Sequence, residues 1–178
     1  MWTDPAPVGK SNSPVPSRRK TREFVLQVLF AADARNEDPL ETLAFLENHF
    51  SADEEEDLKM HRVTKEFAHA LVEVVSRDKE AIDDLITRLS QHWKLHRINR
   101  VDRNILRMAI AEMTNFSQTP GRVVLDEAIE IGKRYGAENS AAFINGILDR
   151  IHALLNRSPG TLDLKEMIAV LDESNSTD

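Results

Sequence analysis

The 178-residue sequence contains no cysteine, which excludes disulfides, cysteine-ligated zinc and thiol catalysis. Its six glycines are few for a phosphate-cradling loop, and no alternating apolar pattern longer than four residues suggests a strand for such a loop to follow. No apolar run is long enough to span a bilayer. Residues 1–17 lack the apolar stretch of a signal peptide, so a cytoplasmic setting with no membrane partner is expected. The histidines fall in no HExxH spacing and no GxSxG occurs. Acid pairs such as Asp83-Asp84 and Asp126-Glu127 are ordinary on helices. No catalytic residue, metal site or cofactor is expected, and the chain does not read as an enzyme.

What is present is helical periodicity. Phe24, Val25, Val28, Leu29 and Ala32 form one face of a first helix. Asp38-Pro39, with Glu41, carries the N-cap, N1 proline and capping box of a second, running to about Phe50. Met60, Val63, Phe67, Ala70, Leu71 and Val74 repeat at three and four, and Ile82, Leu85, Ile86 and Leu89 do so in the next segment. Val101, Ile105, Met108, Ala109 and Met113 follow. Thr119-Pro120 starts a helix with Val124, Ala128, Ile131 and Tyr135 along one side, and Gly136 is expected to end it in a left-handed conformation. The last long helix starts near Asn139-Ser140 and carries Ile144, Ile147, Leu148, Ile151, Leu154 and Leu155. The fold class is all-α, about seven helices packed as bundles. Residues 1–16, rich in proline, read as a flexible arm. Residues 17–157 read as the helical domain. Residues 158–178 read as a C-terminal extension in which Leu164, Met167, Ile168 and Leu171 form a short amphipathic helix packed on the body.

Charge is unevenly placed. There are 23 basic and 30 acidic side chains, a net charge of −7, which argues against a general nucleic-acid coat protein but allows a local basic patch. Residues 53–57 (DEEED) and the C-terminal end are acidic. Yet Arg18, Arg19, Lys20 and Arg22 crowd the start of the first helix, balanced only by Glu23. The helix dipole disfavours cations there. Either this is a solvated basic end, with Arg22 paired to an acid elsewhere, or the counter-charge is a polyanion whose phosphates these side chains meet.

A second stretch, KRYGAENSAAF at 133–143, sets Lys133 and Arg134 beside a helix N-terminus, itself an anion site. Phe143 lies at the edge of the apolar face, where it either caps the core or stacks on an unpaired base. Leu26 and Phe30 lie well off the centre of the first helix's apolar face and hint at a partner surface. Glu112 falls inside an apolar face and needs a partner, with Arg107 and Arg122 as candidates.

Together RRKTRE, VDRNILRMAIAEM and VVLDEAIEIGKRYGAENSAAFINGILD closely resemble the NusB family of bacterial transcription antitermination factors, over residues 18 to about 155. The stretch DEAIEIGKRYGAENSAAFINGILD is highly specific, whereas residues 36–95 match only as a helical pattern. The resemblance implies two small helical bundles packed together, and binding of boxA single-stranded RNA as a heterodimer with NusE, the ribosomal protein S ten. The pair acts in an antitermination complex on RNA polymerase, notably on ribosomal RNA operons. It implies RNA contacts at Arg18, Arg19, Lys20, Arg22 and Phe143, near the turn carrying Asn139. Lys133 and Arg134 are expected on the same surface. It implies NusE contacts at Phe30 and Asp102, with Leu26 beside Phe30. Self-association into a homodimer stays open, as does RNA sequence preference. Two alternatives remain. One is a stand-alone domain related to that of ribosomal RNA cytosine methyltransferases, whose catalytic cysteine and α/β domain are absent here. The other is a protein scaffold without RNA binding.

Overall fold

The computed structural model describes residues 18–50, 62–90, 93–157 and 163–175. The expected arm at 1–16, the acidic run 53–57, Met60 and the Ser158-Pro159-Gly160 break lie outside the described residues, as does the side chain of Val63. Among the described residues seven α-helices follow in order, with no strand. They are α1 (Arg18–Arg35), α2 (Pro39–Phe50), α3 (Arg62–Leu89), α4 (Arg100–Asn115), α5 (Gly121–Tyr135), α6 (Ser140–Arg157) and α7 (Leu164–Asn175), with one 3-10 turn at Leu95–Arg97 before α4.

Local chemistry sets the helix ends. Asn36 takes the left-handed conformation (φ 54°) just past α1, and the Glu37 amide reaches back to the Ala32 carbonyl at 2.9 Å. This closes the helix in a Schellman manner. Asp38 Oδ1 accepts from the Leu40 amide (2.8 Å) to start α2, and its Oδ2 accepts from the Ser76 hydroxyl (2.6 Å) to tie that start to α3. The periodic segments around Val74 and Ile82 belong to one 28-residue helix, because no glycine, proline or cap interrupts VVSRDKEAI. Asn99 caps α4 by accepting from the Val101 amide at 2.9 Å. At α7, Asp163 Oδ1 accepts from the Glu166 amide and Glu166 Oε2 from the Asp163 amide, a reciprocal capping box.

α1 packs against α2, α3 and α4, and α2 also lies on α3. α4, α5 and α6 pack pairwise into a second bundle. The long α3 joins the two, with His69 near its start held to Glu47 of α2 and the Leu89 carbonyl at its end accepting from Arg150 of α6. One continuous core runs through both bundles and includes Leu29, Leu43, Leu71, Ile86, Ile105, Leu125, Ile131 and Leu148. α7 lies on α3, with Leu164 and Met167 buried and Ile168 and Leu171 half-buried. No described helix is long and apolar enough to cross a membrane.

Gly136 corrects an expectation. Its φ of −86° and ψ of −176° are extended, not left-handed. Glycine is needed there for space: a Cβ would meet the Ser140 side chain at 2.4 Å and the Gly132 carbonyl oxygen at 2.7 Å. The turn between α5 and α6 is therefore drawn tightly onto Ser140, whose hydroxyl oxygen accepts from the Ala137 amide at 2.7 Å.

Candidate nucleic-acid and partner interface

The cluster at the start of α1 divides. Arg18 is exposed; its guanidinium donates to the Thr119 hydroxyl (3.0 Å) and lies 4.9 Å from the Phe67 ring centroid. Arg19 donates two hydrogen bonds to the Glu127 carboxylate of α5, at 2.9 and 2.7 Å. Lys20 is exposed. Arg22 is different: it is 3% exposed and forms a two-point pair with Glu112 of α4, at 2.7 and 2.6 Å. It also lies 3.7 Å from Glu127. Arg22 presents no cation to solvent and is corrected from an RNA-binding residue to an internal strut. A fully buried carboxylate needs a cation beside it, and Arg22 is the residue that reaches Glu112. Arg107 instead pairs with Asp83 and Arg122 with Asp126.

The end of α5 lies against α1. Arg134 is exposed and donates to Glu23 at 3.0 Å, while Lys133 pairs with Glu130 at 2.7 Å. The α1–α5 seam thus alternates in sign: Arg19 against Glu127, then Glu23 against Arg134. Hydrogen bonding to Arg19 holds Glu127 below the usual carboxylate range, and Lys133 does the same for Glu130. Asn139 is exposed at the turn, its carbonyl accepting from the Phe143 amide at 3.1 Å to open α6. Phe143 is half-buried against the core, one side open. The exposed cations Arg18, Arg19, Lys20, Lys133 and Arg134 therefore come from two helix ends, and Phe143 lies beyond the turn that follows.

The expected partner residues also divide. Phe30 is 39% exposed, and the Arg100 guanidinium of α4 lies 5.6 Å from its ring centroid. Leu26 is 5% exposed and belongs to the core, which corrects its reading as a surface residue. With α2, α3 and α4 all against α1, its buried arc is wider than one apolar stripe. Asp102 sits in the first turn of α4 at 7% exposure. Its Oδ1 has no hydrogen-bond partner among the described residues. Burial pushes its pKa up, and the nearby Ser140 hydroxyl works in the opposite direction. Tyr135, expected along the apolar side of α5, is 40% exposed, although Val124, Ala128 and Ile131 are buried.

Sequence reasoning missed Arg100 and Glu127. Neither stands out locally, since each acquires its place only by packing against α1 from a distant helix. The same is true of Asp33, which gathers Arg103 (2.5 Å), Asn104 (3.1 Å) and Arg107 (3.4 Å) beneath Arg100.

Comparison with known proteins agrees with this architecture. Residues 19–153 match the model of the NusB family. The transcription antitermination protein NusB of Desulfosudis oleivorans is 42% identical over 148 residues, covering 82% of this chain and 92% of that protein. That of Myxococcus xanthus is 40% identical over 141 residues, covering 79% and 98%. Among solved structures, T. maritima NusB superposes with a TM-score of 0.70 at 36% identity, covering 88% of this chain and 99% of that one. A crystal structure of antitermination factors NusB and NusE in complex with dsRNA matches with a TM-score of 0.62 at 27% identity, covering 76% and 96%. With the motifs, the helix order and the family match all spanning the same residues, this chain belongs to the NusB family.

Proposed function

We propose that this chain is a bacterial transcription antitermination factor that binds boxA-type single-stranded RNA together with NusE, in the cytoplasm, within an antitermination complex on RNA polymerase. The observation that carries the reading is the convergence of Arg18, Arg19, Lys20, Lys133 and Arg134 on the α1–α5 edge, followed by the turn with Asn139 and the half-open ring of Phe143. Cations meet phosphates and release counterions, the α6 N-terminus favours anions, and an aromatic ring stacks on an unpaired base. We assign residues 17–157 to this activity, with 158–178 as an extension whose α7 packs on α3.

The NusE side is Phe30 with Asp102. Arg100, two residues before Asp102, covers Phe30, so both expected contacts flank the start of α4.

Fluorescence anisotropy of a labelled boxA-type RNA, with and without NusE at two salt concentrations, tests the reading. Up to five phosphate contacts on single-stranded RNA, one per exposed cation, predict a log–log salt slope as steep as about −3.5, with marked tightening by NusE. A flat salt response with no binding in either case would leave a protein scaffold.

A further inference from the structure

Tyr135 is the single tyrosine of the chain. It is 40% exposed at the last position of α5. Burial of an aromatic ring is favourable, and the residues one and two turns earlier on its stripe, Ile131 and Ala128, are buried. The ring instead stands at the edge of the charged seam. The Arg134 guanidinium lies 5.3 Å from its centroid, and Glu23 holds that guanidinium from α1 at 3.0 Å. One helical turn back along α1, Arg19 is held by Glu127. On the other side of Tyr135 the chain turns through 136–139 to Phe143. An exposed ring beside an exposed cation, with a second half-buried ring eight residues on, supplies the two side-chain types that single-strand binders use, in which cations track the backbone and aromatics take bases.

We propose that Tyr135 is a second base-stacking platform, receiving an unpaired nucleobase on its exposed ring while Arg134 leaves Glu23 to meet the adjoining phosphate. The inference rests on the RNA-binding reading above and adds a subsite to it. The hydroxyl is not required for stacking, so the ring alone carries the effect. Glu23 holds Arg134 beside the ring until the phosphate replaces it.

The test uses the full chain, NusE and a fluorescein-labelled boxA-type RNA. Tyr135→Phe is expected to bind within about twofold of the unsubstituted protein, whereas Tyr135→Ala and Tyr135→Leu each weaken binding about 10-fold. A leucine side chain keeps apolar bulk without a π-face, so equal loss in both variants separates stacking from packing. Thermal melts of all three should coincide within a few degrees, because the ring is exposed. Incorporation of 3-fluorotyrosine places one fluorine-19 reporter in the protein, and its resonance should shift on adding RNA. Salt-sensitive binding by the unsubstituted protein, with Tyr135→Ala binding equally well and the resonance unmoved, would overturn the stacking role and leave the RNA reading intact. Absence of RNA binding by the unsubstituted protein, with or without NusE, would overturn both.

Discussion

Arg22 and Glu112, 90 residues apart in sequence, meet through two parallel hydrogen bonds of 2.7 and 2.6 Å, with their side chains 4% and 0% exposed. The pair joins α1 to α4 within the protein interior. Without Arg22, Glu112 loses both of its charge-assisted hydrogen bonds in a fully buried position, and without Glu112, Arg22 keeps only Glu127 at 3.7 Å. Arg22→Ala or Glu112→Ala should therefore cost about 3–5 kcal/mol, whereas the joint Arg22→Met/Glu112→Leu replacement should come close to neutral. Urea unfolding of the three variants checks this. Equal losses for the single and joint replacements would mean that the charges are not what matters.

Leu26 and Phe30 are neighbours on α1 with opposite fates. Leu26→Ala removes core volume and should cost about 2–5 kcal/mol. Phe30→Ala removes a ring that is 39% exposed, with the Arg100 guanidinium 5.6 Å from its centroid. It should change stability by less than ~1.5 kcal/mol and weaken association with NusE about 10-fold or more, as for a central aromatic anchor. Thermal melts paired with titration calorimetry against NusE separate the two effects.

In the proposed RNA-bound state Glu127, which accepts both hydrogen bonds from Arg19, competes with phosphate for that side chain. Exposed pairs of this kind are worth ~0.2–1 kcal/mol, so Glu127→Gln should raise RNA affinity about two- to fivefold at low salt, with the gain fading as salt rises. Anisotropy titrations at two salt concentrations measure it. Reduced affinity would show that Glu127 instead positions Arg19 for RNA.

Asp33 gives a pH-dependent prediction. Burial alone would raise its pKa, but hydrogen bonds from Arg103 and Asn104 and the charge of Arg107 hold it below the usual value. A lowered folded-state pKa means that the stabilisation is complete above the unfolded value, about 3.9, and is lost as pH falls through the folded one. Asp33→Asn should cost ~1.5–3 kcal/mol near about pH 7. The gap to the unsubstituted protein should narrow steadily below about pH 4. Urea midpoints measured across that range decide it.

Met167 of α7 is fully buried and packs into the core that α3 shares. Met167→Ala should destabilise by about 2–5 kcal/mol, and deletion of residues 158–178 by at least as much. Unchanged melting in both would make α7 a passenger on the surface of α3.

Most of the architecture is legible in the sequence. Helix starts are readable at Asp38-Pro39 and near Asn139-Ser140, because caps and N1 prolines act on the nearest few residues. Stripes such as Ile144, Ile147, Leu148 and Ile151 are readable because a 3.6-residue period maps directly onto one face. Two of the errors come from the helical wheel. A helical wheel turns Leu26 outward because it assumes a single contact direction, whereas α1 is packed on three helices. The same wheel turns Tyr135 inward because its spacing fits the apolar stripe of α5, yet that stripe runs out where the helix ends at the surface.

The sequence by itself determined the all-helical class, the order of the helices and the family, since these rest on local periodicity, capping and motif spacing. Only the tertiary structure decided which of four neighbouring cations are exposed. Arg22 faces Glu112, and Arg18, Arg19 and Lys20 do not, because which acid lies across from a given side chain depends on how α4 and α5 pack on α1. Charge pairing acts over a few ångströms of space, and residues 90 or 108 positions apart come within that range only once the core has formed.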